Sequence, residues 1–202
     1  MKNIIKMILI LLLPGCGIIL INENNYRNLS DSDKIILKPF DPDIVSRKVD
    51  NDQFFIYEIN SNDILNCSKK YQFTWVHLWR PFCPNEHCQN LNYLLNTVNA
   101  FKSHDIELLL VSESYDLKSI ENIVRKSAFD KPIFVLQDAY YGHKIRKNRL
   151  KLIADFNSDL PAKTRFGFGE YLFKDSTLIY MGYDLNEHKI DSLIASSLNP
   201  TH

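Results

Sequence analysis

Residues 106–111 form a run that is apolar but for Glu107 and is bounded by polar turns, and Leu91, Leu94, Leu95, Val98 and Phe101 recur at helical spacing just before it. A run of that length suits a strand buried on both faces, the state of strands in parallel sheets that carry helices on either side. With an amphipathic helix expected over 85–102 and an alternating strand over 71–79, the three segments read as a parallel βαβ unit. The cycle then repeats. Asp116 is placed to cap a helix carrying Leu117, Ile120, Ile123 and Val124, and Lys131-Pro132 leads into a strand over 133–136. Ahead of the unit, residues 54–59 have the aromatic and β-branched content of a strand, and Asn62-Asp63 can cap a short helix to about Lys69. Residues 144–151 are basic but interleaved with Ile145 and Leu150, which predicts a helix whose cationic face is solvated. Residues 170–173 and 178–181 flank Lys174-Asp175-Ser176-Thr177, a hairpin signal, and residues 187–198 close the chain as a helix. The expected fold class is α/β, with a central mixed sheet and helices on both faces.

The N-terminus is of a different kind. A basic start, Met-Lys-Asn-Ile-Ile-Lys, precedes an apolar stretch from Met7 to Leu13 that is closed by Pro14, Gly15 and Cys16. That is the layout of an export signal. The segment Leu13-Pro14-Gly15-Cys16 resembles the lipobox of bacterial lipoproteins, which implies cleavage before Cys16 and its lipidation. Because residues 4–21 are apolar except at Lys6 and the Pro14-Gly15 break, an uncleaved membrane anchor is a second reading and a buried N-terminal helix a third. The first two place the remainder in the bacterial cell envelope, facing the periplasm or the exterior, where disulfides persist. Residues 22–52 are polar and interrupted by Pro39 and Pro42, so they are expected to be a tether, with the folded domain spanning 53–199. Lys+Arg 24 against Asp+Glu 24 cancel, which leaves no whole-chain field for nucleic acid.

The chemistry concentrates in residues 77–88, at the expected strand-to-helix junction: His77-Leu-Trp79-Arg80-Pro-Phe82-Cys83-Pro84-Asn85-Glu-His87-Cys88. Two residues five apart on a helix are about 140° apart around its axis, so Cys83 and Cys88 cannot both be helical and bridged. Pro84 biases Cys83 toward extended backbone, and with Asn85 as N-cap the thiol would stand at the positive end of a helix beside Arg80, where thiolate is favoured. Cys88 is in phase with Leu91 and Leu95, which predicts a core-facing resolving thiol.

This stretch resembles the strand end and active-site loop of the thioredoxin superfamily, especially its membrane-tethered TlpA-like branch, and Phe173-Lys174-Asp175-Ser176 resembles that family's hairpin motif. The resemblance runs from Phe54 to Leu198. It implies a thioredoxin-like three-layer sandwich and a thiol-disulfide oxidoreductase acting on protein disulfide or dithiol substrates, with no cofactor or metal. Cys83 would be the nucleophile and Cys88 the resolving thiol. His77 stands where the family carries a buried acidic residue, and could serve as a base or be a core histidine. Gly167 and Phe168 fall on the partner-facing loop, where the family has a cis-proline and this chain has none. The cysteine spacing is also longer than the family's. Alternative readings are a non-catalytic module stapled by the cysteines, or a copper carrier similar to the Sco-type chaperones using Cys83, Cys88, His87 and His77. Cys67 is expected to be a small buried hydrophobe and His143 a loop surface residue.

Overall fold

In a computed structural model of the chain, residues 23–49, 54–83, 90–156 and 169–198 are described. Over these the order is α1 (Asp31–Lys34), β1 (Leu37–Pro39), β2 (Ile56–Ile59), α2 (Ser61–Ser68), β3 (Phe73–Trp79), α3 (Asn92–Ala100), β4 (Ile106–Ser112), α4 (Leu117–Arg125), β5 (Ile133–Leu136), α5 (Asp138–Tyr141), α6 (Ile145–Phe156), β6 (Glu170–Lys174), β7 (Thr177–Gly182) and α7 (Glu187–Leu198). The sheet order is β1-β2-β5-β4-β3-β6-β7. Strands β1 to β5 run parallel, while β6 pairs antiparallel with β3 and β7 with β6. All seven residues of β4 are buried, as a central strand covered on both faces requires.

The alternation in β3 sorts its side chains between two cores. Trp75 and Trp79 face a layer made by Leu94 of α3, Ile120 of α4 and Ile190 of α7, whereas Val76 and Leu78 face Ile64 of α2 and Leu152 of α6. The two indoles are each 1% exposed, and rings of that size bury roughly 200 Å², an upper figure of about 5 kcal/mol apiece. Local signals set the boundaries. Asn60 forms a capping box with Asp63, and the Asp116 side chain accepts from the Ser119 N–H. The β6–β7 turn needs two left-handed residues, which Asp175 (φ 47°) and Ser176 (φ 68°) supply.

Four expectations change. The supposed tether is partly structural: β1 pairs with β2 from Leu37 opposite Ile56, and Val45 and Asn24 are each 1% exposed. Its few apolar residues show no period of their own, and Pro39 is tolerated because β1 is an edge strand, where a missing N–H costs no ladder bond. Of the helix expected over 85–102, the described part runs from Asn92 to Ala100, and the Asn90 side chain ahead of it takes the Asn92 N–H, which competes with helix formation. Asn90 itself is not helical; Cys88 and the rest of residues 84–89 lie outside those described. The charged residue in the β4 run is not turned to solvent: Glu107 is 7% exposed and its carboxylate accepts from Lys131 Nζ at 2.6 Å. Finally, the basic helix α6 is not simply solvated, because Arg149 turns inward to an ion pair with Glu113.

Candidate functional site

Parallel strands bring their carboxyl ends to one rim, the place where open α/β sheets present their loops to ligands. Trp79 at the end of β3 stands opposite Ser112 at the end of β4, and Ser112 opposite Val135. Past Trp79 the chain turns at once, with the Cys83 N–H donating to the Arg80 carbonyl at 3.0 Å. Cys83 thus lies in a turn at the rim, outside any helix, and it is disulfide-bonded. Cys88, Cys16 and His87 lie outside the described residues. Cys67 is a free, buried thiol in α2. Burial, and next Glu107, push its pKa up to about 12, which leaves it protonated and inert near neutral pH.

Beside the Cys83 turn a buried carboxylate holds two arginines. The Glu113 N–H donates to the Trp79 carbonyl at 2.9 Å, which seats the residue across the end of β3. Its carboxylate, with no side-chain exposure, accepts from Arg80 Nε at 2.7 Å and from Arg149 through Nε at 2.7 Å and through Nη2. One anion between two guanidiniums leaves a net positive charge that cannot titrate away near neutrality. Arg80 keeps 46% of its side chain exposed, and it is three residues from Cys83, where a fixed cation favours a thiolate.

On the other flank of β3 stands a second buried carboxylate. Register places His77 opposite Glu170, and His77 Nδ1 lies 2.7 Å from Glu170 Oε1. Trp75 Nε1–H donates to Oε2 at 2.7 Å. His77 is therefore a half-buried histidine with a side-chain partner, and the Tyr93 ring lies edge-on to it at 6.3 Å. Glu170 and Tyr93 also line a cleft of about 560 Å³ together with Asp184 and His188. Gly169 enters beside this flank: the Leu78 N–H donates to its carbonyl at 2.7 Å. Gly167 and Phe168, the expected partner-facing residues, lie outside those described, and His143 is only half-buried, its carbonyl accepting from the Asn24 N–H.

Sequence reasoning missed Glu113, Arg149 and Glu170. Glu113 carried a usable signal, because a charged residue directly after a buried parallel strand falls on the rim. Arg149 and Glu170 carried none, since their partners are set by helix packing and by antiparallel register. Among the described residues no group of three or more His, Cys, Asp or Glu side chains is arranged to hold a metal ion.

The parallel β3-β4-β5 unit with helices on both faces, an antiparallel hairpin on the outer flank of β3 and a cysteine turn after β3 define a thioredoxin-like α/β fold. No family model matches the chain and no curated protein does. Solved structures do. The chain is similar to the thioredoxin domain of a thiol-disulfide oxidoreductase from Bacteroides vulgatus, at 18% identity over 65% of this chain and 82% of that one, with a TM-score of 0.41. A thioredoxin-like protein from Aeropyrum pernix matches at 14% identity over 68% and 82% of the two chains, with a TM-score of 0.41. Yeast Sco1 with copper bound matches at 14% identity over 70% and 84%, with a TM-score of 0.40.

Proposed function

We propose that this protein is a membrane-tethered, extracytoplasmic thiol-disulfide oxidoreductase that works through Cys83 and Cys88. The observation that carries this reading is the disulfide-bonded Cys83 in a rim turn next to Arg80, the position and electrostatics of an exchangeable thiol rather than of a core cysteine. In the reduced protein the Cys83 thiolate attacks one sulfur of a partner disulfide, so that a Cys83–partner mixed disulfide forms, the partner's own S–S bond breaks, and the partner's other sulfur is left as a thiolate. Cys88, as thiolate, then attacks the Cys83 sulfur and releases the partner's second thiolate. The partner gains two electrons and the Cys83–Cys88 pair becomes a disulfide, which a dithiol reductant must reopen. His77, oriented by Glu170, is suited to take the Cys88 proton. Export and anchoring rest on the lipobox-like run ending at Cys16.

Titration of the full chain against thiol redox buffers tests the reading. A reversible two-electron transition, together with mixed disulfides trapped by Cys88→Ser and released by reductant, is the expected result. Stoichiometric Cu(I) uptake without any exchange overturns it.

A further inference from the structure

The segment that follows the N-terminal apolar run is fastened to the same rim that carries Cys83. Asn24 is buried, and every polar group it has is engaged: its N–H donates to the His143 carbonyl at 2.9 Å, its carbonyl accepts from the Tyr115 N–H at 2.6 Å, Nδ2 donates to Asp138 Oδ1 at 2.9 Å and to the Gly142 carbonyl at 3.2 Å, and Oδ1 accepts from the Tyr26 N–H at 3.2 Å. Glu23 pairs with Lys144, whose hydrogen bond lowers the Glu23 pKa, and the Tyr26 ring packs edge-on against Tyr115 at 4.9 Å. Tyr115 is two residues beyond Glu113, the carboxylate that holds Arg80. The chain therefore enters the fold at the carboxyl-end rim and not at the opposite pole.

Chain length makes this attachment short. Glu23 is seven positions beyond Cys16 and two beyond Ile21, so the reach from a lipid on Cys16 is at most about 25 Å and from the end of the apolar run about 7 Å. The opposite pole is farther by the length of β3, seven residues or roughly 23 Å. At the entry point the exposed side chains of Arg27, Arg146 and Lys147 are basic, and Glu23 is paired with Lys144. Such a cluster complements anionic headgroups.

We propose that the rim bearing Cys83 is held against an anionic bilayer surface, with the basic entry strap and the start of α6 as the contact, so that thiol exchange is confined to partner segments at the membrane face. This rests on the tethered reading above. The test uses the full chain reconstituted in vesicles of phosphatidylethanolamine and phosphatidylglycerol and treated with a membrane-impermeant, water-soluble acylating reagent, with lysines read by peptide mass. Lys144 and Lys147 should react several-fold more slowly than in the same chain carrying a long Gly/Ser insert between Ile21 and Asn22, while Lys69 and Lys70 at the opposite pole react equally in both. If the chain floats with vesicles but Lys144 and Lys147 are as reactive as in the insert variant, or Lys69 and Lys70 are the protected pair, the orientation is overturned and tethering stands. A chain that does not float with vesicles overturns both, and leaves the redox assignment of Cys83 to its own titration.

Discussion

Glu113 and Glu170 are both buried carboxylates flanking β3, yet they are satisfied in opposite ways. Glu113 is held by two arginines, which are charged at every working pH, so its flank is a fixed electrostatic frame for the Cys83 turn. Glu170 is held by a neutral indole N–H and an imidazole nitrogen. One flank therefore carries two permanent cations and the other none. The same strand supplies both because His77 projects to the hairpin side while the chain after Trp79 crosses the end of β4.

The largest expected effect breaks the fixed flank. Glu113→Ala leaves Arg149, only 11% exposed, without its anion, and should cost about 3–5 kcal/mol in urea unfolding of the soluble domain. A Glu113→Leu, Arg149→Met double variant should recover most of that loss, since removing both charges avoids the unpaired one; no recovery would mean that the pair does not act as a unit. Next comes the Glu170 flank. Glu170→Ala strands the Trp75 N–H and His77 and should cost about 1–3 kcal/mol, while slowing release of trapped partner more than its capture. Equal slowing of both steps would place Glu170 outside the resolving step. Arg80→Ala should change stability by no more than about 1 kcal/mol, because the side chain is half exposed, yet slow alkylation of reduced Cys83 at pH 7; an unchanged alkylation rate removes Arg80 from the thiol's electrostatics.

The smallest effect is a slope with pH. Burial raises the Glu107 pKa above 4.5, with Lys131 opposing the shift. A carboxyl whose folded pKa is raised contributes stability that is fully present below about 4.5 and is lost as pH rises through the raised value. Glu107→Gln should therefore flatten the decline in urea midpoint from pH 4 toward neutrality, and an unchanged slope would assign that decline to other groups.

Much of this architecture is legible in the sequence alone. Period-2 alternation in β3, the apolar run of β4, the Asp116 cap, the hairpin signal at Asp175-Ser176 and the span of α7 are written in neighbouring residues, because local hydrogen bonding and burial periodicity are themselves local. The same locality misled at two places. Residues 23–49 look like a tether since their apolar content is sparse, and only the tertiary structure gives Leu37 the edge of β2 to pair with and Val45 a place in the second core layer. Residues 85–102 look like one helix since nothing in the apolar spacing announces that the Asn90 side chain intercepts the Asn92 N–H.

By itself, then, the amino-acid order determined most of the strands and helices from residue 54 on, and that Cys83 follows the strand carrying Trp75, His77 and Trp79. It did not determine that β5 inserts between β2 and β4, that Glu113 meets Arg149 thirty-six residues away, that Glu170 falls opposite His77, or that Asn24 is locked to the Cys83 rim. Those are choices among many long-range pairings of similar local appearance. They are decided only when the whole sheet closes and each buried charge or amide must find a partner or pay its full desolvation cost.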